Sequence, residues 1–259
     1  MKFKEIKLKL KEEKYLDWKI FFSQEESNAI TLGKIILNGD YRIKKVYKDT
    51  KRNYVAQVEI GNKNYILKEF RSEVIIPQRK IQTLFKKGEA LSTLINTTEA
   101  IELGIEELVK PIVALVKKNL TIKQSYLLME YVEGEKISSI EDIDKIMELV
   151  EKIHKNKIYH GDLNTSNFIK EGNKIKILDT QSKKEKIGKF KRWYDIFTLE
   201  NDLLVKELNY NVRDKYYLKE KEKDIWFYLA YSLKNLKNTK LIKKIKAKKK
   251  ELRKKGWKI

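Results

Sequence analysis

Apolar and polar residues alternate with period two in several early stretches of the chain, the mark of strands with one buried face. Ile6, Leu8 and Leu10 alternate with lysines, an edge-strand pattern, whereas Tyr15–Phe22 fits a strand or a helical turn. The pattern then sharpens. Tyr41–Lys48 carries Tyr41, Ile43, Lys45 and Tyr47 on one face, Tyr54–Ile60 follows the polar turn Asp49–Asn53, and Tyr65–Phe70 follows Gly61-Asn62-Lys63-Asn64. Together they predict an antiparallel meander ending in Y-I-L-K-E-F. After Pro77 the stretch Lys80–Leu103 is polar and helix-compatible, with Leu84, Phe85, Leu91 and Leu94 available to pack and Glu89 in its middle. Ile112–Val116 and Tyr126–Met129 read as two further strands. The period then changes to that of a helix. In Asp142–Lys155, Ile143, Ile146, Met147, Val150 and Ile153 recur on one face, with Asp142 as N-cap and His154 near the end in a structural role. Further helices are predicted at about Phe197–Leu208 and Lys223–Lys237, the second opened by Asp224.

A chain of 259 residues with 41% hydrophobic content can bury a real core, as one large domain or two modest lobes. The absence of cysteine excludes disulfides and thiolate metal sites. The opening M-K-F-K-E-I-K-L-K-L-K has no apolar signal core, and the longest apolar run, Pro111–Val116, is too short to cross a bilayer, so a cytoplasmic location is expected. With 58 Lys+Arg against 37 Asp+Glu the formal charge is +21, which favours an anionic partner: nucleic acid, a membrane surface or an anionic substrate. Abundant Lys, Ile and Asn also fit an A+T-biased genome, so composition alone accounts for the charge equally well. From Lys240 the tail is strongly basic (Lys243, Lys244, Lys246, Lys248–Lys250, Arg253–Lys255), with Leu241, Ile245 and Leu252 broadly on one helical face and Trp257 near the end. That suits peripheral attachment to an anionic membrane surface. No readout motif accompanies it, so nucleic acid is not expected.

The chemistry concentrates in Ile158–Phe168, I-Y-H-G-D-L-N-T-S-N-F, where His160 precedes Asp162 and Asn167 follows it. A hairpin is predicted next: Phe168–Lys170, the turn Glu171-Gly172-Asn173, then Ile175, Ile177 and Leu178 leading to Asp179. Such a hairpin returns Asp179 to the level of Asn167. An acid to orient a hydroxyl, with an amide and a carboxylate converging on a cation, is what magnesium-dependent phosphoryl transfer requires.

This arrangement resembles the protein-kinase-like superfamily, H-x-D-x-x-x-x-N followed by a metal-binding aspartate. The resemblance implies an α+β, bilobal fold: an antiparallel-sheet N-lobe over residues 1–132 and a small, mainly helical C-lobe over 133–259. It implies that Asp162 is the catalytic group, that Asn167 and Asp179 hold Mg²⁺, and that Lys68 contacts the ATP phosphates. Glu89 would position Lys68, with Glu73, Glu99 and Glu102 as competitors. The run L-L-M-E-Y-V-E-G resembles the hinge, where the backbone of Glu130 and Val132 would meet adenine. His160 and Asp224 would support the catalytic loop, although Asp224 fits a helix N-cap equally well.

Departures from protein kinases point away from a protein substrate. Asp49–Asn53 replaces the glycine-rich loop, and Gly161 replaces the arginine that reads activation-loop phosphate. Thr180-Gln181 follows Asp179, and no proline occurs after Pro111 to end an activation segment. The H-G-D form is that of kinases of sugars, aminoglycosides, choline and lipopolysaccharide. Over nearly its full length the chain resembles the lipopolysaccharide core heptose kinase family (RfaY/WaaY), through Y-I-L-K-E-F, M-E-Y-V-E-G, G-D-L-N-T-S-N-F-I, I-L-D-T and K-D-I-W-F-Y-L-A-Y. That family implies phosphorylation of an inner-core heptose at the cytoplasmic face of the inner membrane. The alternatives are a kinase of another small molecule, which a cationic acceptor's acidic pocket would favour, and a non-catalytic binding module of the same fold.

Overall fold

The computed structural model describes residues 10–219 and 224–239, together with 242, 244, 245, 247, 248 and 251. The edge-strand positions Ile6 and Leu8 and most of the basic tail lie outside the described residues. Two compact units are present: residues 1–135 with 171–179, and residues 136–170 with 180–259. The division expected after residue 132 falls at 135, and the segment ending in Asp179 counts with the first unit rather than the second.

The first unit is built on an antiparallel sheet. β1 (Leu10–Tyr15) and β2 (Trp18–Ser23) form a hairpin with Tyr15 opposite Trp18, so the ambiguous stretch is strand. α1 (Ala29–Asn38) buries Ala29, Leu32, Gly33 and Ile36 and ends at Gly39 in the left-handed conformation. The meander follows as β3 (Arg42–Asp49), β4 (Tyr54–Ile60) and β5 (Lys63–Glu69). Next come α2 (Ser72–Ile75), α3 (Pro77–Gln82) and α4 (Glu89–Glu102), then β6 (Pro111–Lys118) and β7 (Ile122–Glu130). The strand order is β1-β2-β6-β7-β5-β4-β3.

The sheet is covered on both faces at its centre. Val113, Leu115 and Leu128 join one core cluster with residues of α1, whereas Ala114, Val116 and Leu127 join another with residues of α4. This explains why β6 is a continuous apolar run: a strand covered on both sides has no polar face to alternate with. The long helix expected over Lys80–Leu103 is broken. Pro77 starts α3 at a position where its missing N–H costs nothing, and Gly88, at φ +87°, sits just before α4. Glu89 is therefore the first residue of α4, not its middle.

The second unit contains α5 (Ile140–Lys155), the short pair β8 (Ile158–Tyr159) and β11 (Lys183–Lys184), and α6 (Phe190–Glu200), α7 (Leu203–Glu207), α8 (Val212–Lys219) and α9 (Ile225–Asn238). β9 (Phe168–Glu171) and β10 (Lys174–Ile177) form the anticipated hairpin, along which the chain passes back to the first unit. Helix α5 buries the predicted face, Ile143, Ile146, Met147, Val150 and Ile153. Its cap differs from expectation. Ser139 is the N-cap, and Asp142 stands three residues on, completing a capping box with the Ser139 backbone. Asp142 is almost fully buried and pairs with Lys170 at 3.1 Å. The single helix expected at Phe197–Leu208 is two, interrupted at Asn201, with Asp202 capping α7. The core is aromatic: Trp193 meets the edges of Tyr216 at 5.2 Å and Phe227 at 5.0 Å.

Candidate active site

In the first unit, strand period places Lys68 on the same sheet face as Ile66, toward the cluster that contains α4. Its side chain is 12% exposed, and Nζ donates to Asp179 Oδ1 at 3.2 Å and to the Leu178 carbonyl at 3.3 Å. Asp179 reaches this place because the end of β10 is stitched to the loop before β6. Ile177 N–H donates to the Glu107 carbonyl at 2.9 Å, and Val109 N–H to the Ile177 carbonyl at 3.0 Å. At the end of β7, Glu130 lies opposite Tyr65 of β5 and donates its N–H to the Lys110 carbonyl at 3.0 Å. Val132 packs beside Ile66 and Leu178 against the same apolar cluster.

Glu89 is not the partner of Lys68. It pairs with Arg79, which also donates to Ser72 Oγ at 2.9 Å. The buried glutamate nearby is Glu73, which accepts from the Glu89 N–H at 2.7 Å and Ser125 Oγ at 3.2 Å. Burial raises the Glu73 carboxyl above the ordinary carboxylate range, and the neighbouring Glu89 charge adds to this against the lowering effect of the Glu89 N–H bond. The Asp49–Asn53 turn is shaped by side chains instead of glycines. Thr50 Oγ1 accepts from Asn53 N–H at 3.1 Å, and Arg71 bridges Asp49 and Glu69, each at 2.7 Å.

In the second unit, the loop after β8 is held by two aspartates that sequence reasoning missed. Asp195, buried in α6, accepts from His160 N–H at 2.6 Å and Gly161 N–H at 2.9 Å. Asp202 accepts from Thr165 N–H at 3.1 Å and Thr165 Oγ1 at 2.9 Å. The supporting carboxylate assigned to Asp224 is thus Asp195. Among the described residues Asp224 caps α9, accepting from Phe227 N–H at 3.0 Å. A readable signal existed: an aspartate inside the apolar run W-Y-D-I-F must be buried, and a buried carboxylate requires donors. His160 keeps its supporting place. It is buried, stacks on Phe168 at 5.4 Å and accepts from Asp162 N–H at 3.4 Å. Gly161 has φ +89°, a conformation that L side chains rarely adopt, so the residue that replaces the kinase arginine also shapes the loop.

These constraints display Asp162 at the surface. Its Oδ1 accepts from Asn164 Nδ2 at 2.7 Å, and its carbonyl accepts from Asn167 Nδ2 at 2.7 Å. The Asn167 amide nitrogen is therefore engaged, which leaves Oδ1 as the end that would meet a cation. Among the described residues no three His, Cys, Asp or Glu side chains gather into a metal site. In the first unit the Asp179 carboxylate is 67% exposed. It and the Asn167 amide oxygen of the second unit are each a hard oxygen donor, the kind that Mg²⁺ accepts alongside waters and phosphate.

The sequence profile of the family described as lipopolysaccharide core biosynthesis protein (WaaY) matches residues 9–248. The chain belongs to this family. A solved structure of WaaP in complex with acyl carrier protein has a TM-score of 0.54 with this chain at 13% identity, covering 88% of this chain and 97% of that one. The likeness shows a kinase-like fold, with an antiparallel sheet in the N-terminal part and a mainly helical C-terminal part. The family places the chain in lipopolysaccharide core biosynthesis.

Proposed function

We propose that this protein transfers the γ-phosphoryl group of ATP to a heptose hydroxyl of the lipopolysaccharide inner core. The observation that carries the proposal is the loop at Asp162, whose carboxylate is exposed yet oriented by Asn164 and by a backbone fastened through Asp195 and Asp202. Asp162 accepts the hydrogen bond of the acceptor hydroxyl and takes its proton as the oxygen bonds to the γ-phosphorus. The bond from that phosphorus to the bridging oxygen breaks, and ADP departs with the electron pair. Lys68 holds the phosphates, and the backbone of Glu130 and Val132 receives the adenine. Mg²⁺, held by Asn167 and Asp179, would neutralise the β- and γ-phosphate charge. The Glu89 role is withdrawn, since Glu89 serves Arg79.

The test is mass spectrometry of purified core glycolipid incubated with enzyme and Mg²⁺-ATP. A gain of one phosphate is expected, with kcat about 10²–10⁴-fold lower in Asp162→Ala, the usual worth of a positioned acid–base group. Wild-type turnover in that variant removes the mechanism, and a gain only on a small cationic acceptor moves the protein to another substrate class. No helix among the described residues is long and apolar enough to cross a membrane. We place the reaction at an anionic membrane surface, reached by the basic tail Lys240–Lys258. Deleting residues 240–259 should lower sedimentation with anionic vesicles, and unchanged binding at low salt would remove this part.

A further inference from the structure

The short helix α3 and the turn after it contradict the usual sorting of apolar side chains. Among the residues of α3 none is buried. Ile75 is 51% exposed, Ile81 60%, Leu84 42% and Phe85 88%. Backbone bonds continue the helical turn past Gln82: Leu84 N–H donates to Ile81 O at 3.0 Å, and Phe85 N–H to Gln82 O at 3.2 Å. Ile81, Leu84 and Phe85 therefore share one face at i, i+3, i+4 spacing.

This is not a loose loop. At one end, Arg79 ties the segment to Ser72 and Glu89. At the other, buried Thr83 accepts from Ile122 N–H at 3.0 Å through its hydroxyl and from Lys118 Nζ at 2.6 Å through its carbonyl. Polar bonds at both ends fix a conformation that shows apolar side chains to water. That display is unfavourable unless the side chains are buried against something else.

We propose that residues 75–87 form a contact site for an anionic lipid surface. Ile81, Leu84 and Phe85 enter the headgroup boundary, and Lys86 and Lys87, both exposed, meet the anionic headgroups. Residues 74–88 contain no aspartate or glutamate. The two nearest carboxylates are already committed, Glu73 to Ser125 and the Glu89 N–H, and Glu89 to Arg79. The shape also favours lipid over a protein partner. Phe85 is a protruding knob, which an interface of headgroups admits without a matching cavity. The patch involves only a handful of side chains, whereas a stable protein interface uses about 20–30 residues a side. Its residues are other than those of the basic tail and those assigned to phosphotransfer.

The chain has no cysteine, so Phe85→Cys gives a single labelling position in the full-length protein. Labelled with an environment-sensitive fluorophore, it should shift to the blue on vesicles rich in phosphatidylglycerol but not on phosphatidylcholine alone. The unlabelled double variant Ile81→Ser, Phe85→Ser should lose on the order of 10-fold or more in partition to the anionic vesicles, because two large side chains no longer leave water. Leu203→Ser, which removes an apolar side chain that is 73% exposed elsewhere, should not change it. Phosphate transfer to a delipidated core acceptor should stay at the wild-type rate in the double variant, which separates failure of the lipid site from failure of the kinase reading. An unshifted fluorophore with unchanged partition overturns the proposal. So does a shift produced by an acidic carrier protein and not by vesicles, which would reassign the patch to a protein partner.

Discussion

Asp195 should matter to turnover through the catalytic loop that it holds in place. It is buried and receives two backbone donors, His160 N–H at 2.6 Å and Gly161 N–H at 2.9 Å, with His154 Nε2 at 3.4 Å. Hydrogen bonds to a charged acceptor contribute about 1.5–3 kcal/mol each, and a buried donor left alone costs about 1–3 kcal/mol. Asp195→Ala removes the acceptor from both amides, so a loss of about 3–5 kcal/mol is expected. That is a large share of a typical stability of about 5–15 kcal/mol. Asp195→Asn keeps the volume and one acceptor oxygen, and should cost about half as much while remaining folded. Its effect on kcat should exceed its effect on stability, because a 1 Å misplacement of a reacting group costs about 10²-fold. Denaturant unfolding and single-turnover phosphate transfer measure the two effects separately. Asp224→Ala is the control: it should lose about 1 kcal/mol as a missing N-cap, with kcat unchanged. Wild-type turnover in Asp195→Asn, or a fall in kcat in Asp224→Ala at unaltered stability, would refute the assignment.

Asp142→Ala should destabilise the second unit by about 2–4 kcal/mol, since it removes the capping-box acceptor and leaves Lys170 without its carboxylate. Burial works against the charged Asp142, but Lys170 and the Ser138 and Ser139 amides outweigh it, and the folded-state pKa is lowered. The stabilisation is therefore present above the unfolded pKa of about 3.9 and lost as pH falls through the lower folded value, so wild-type and Asp142→Asn unfolding midpoints should converge below about pH 4. Gly161→Ala should cost about 1–2 kcal/mol in unfolding free energy, from a left-handed backbone and a new contact with Gln181. Since Gly161 cannot read a phosphate, phosphatase treatment of the purified protein should leave activity unchanged, and a large loss would contradict that view of its control.

Much of the fold was legible from period alone. Tyr54–Ile60 is a strand at the bounds its alternation sets, and the buried face of α5 is the one its helical spacing marks. The hairpin between Asn167 and Asp179 could be read for the same reason: turn chemistry and alternation act over a few neighbouring residues. Helix boundaries were less accessible, because Gly88 and Ser139 act through backbone conformation and cap bonds that a hydrophobic pattern does not record. Partners at the site were the least accessible. Spacing singled out Asp162, but whether its loop is held by Asp195 or Asp224 depends on which helix start or helix face the chain brings back to it, 34 or 35 residues along in the case of Asp195. Lys68 finds Asp179 across 111 residues, while Glu89 turns to Arg79. The strength of an ion pair or hydrogen bond is set by distance in space, and carboxylates of equal chemistry compete for each donor, so only the tertiary structure decided among them.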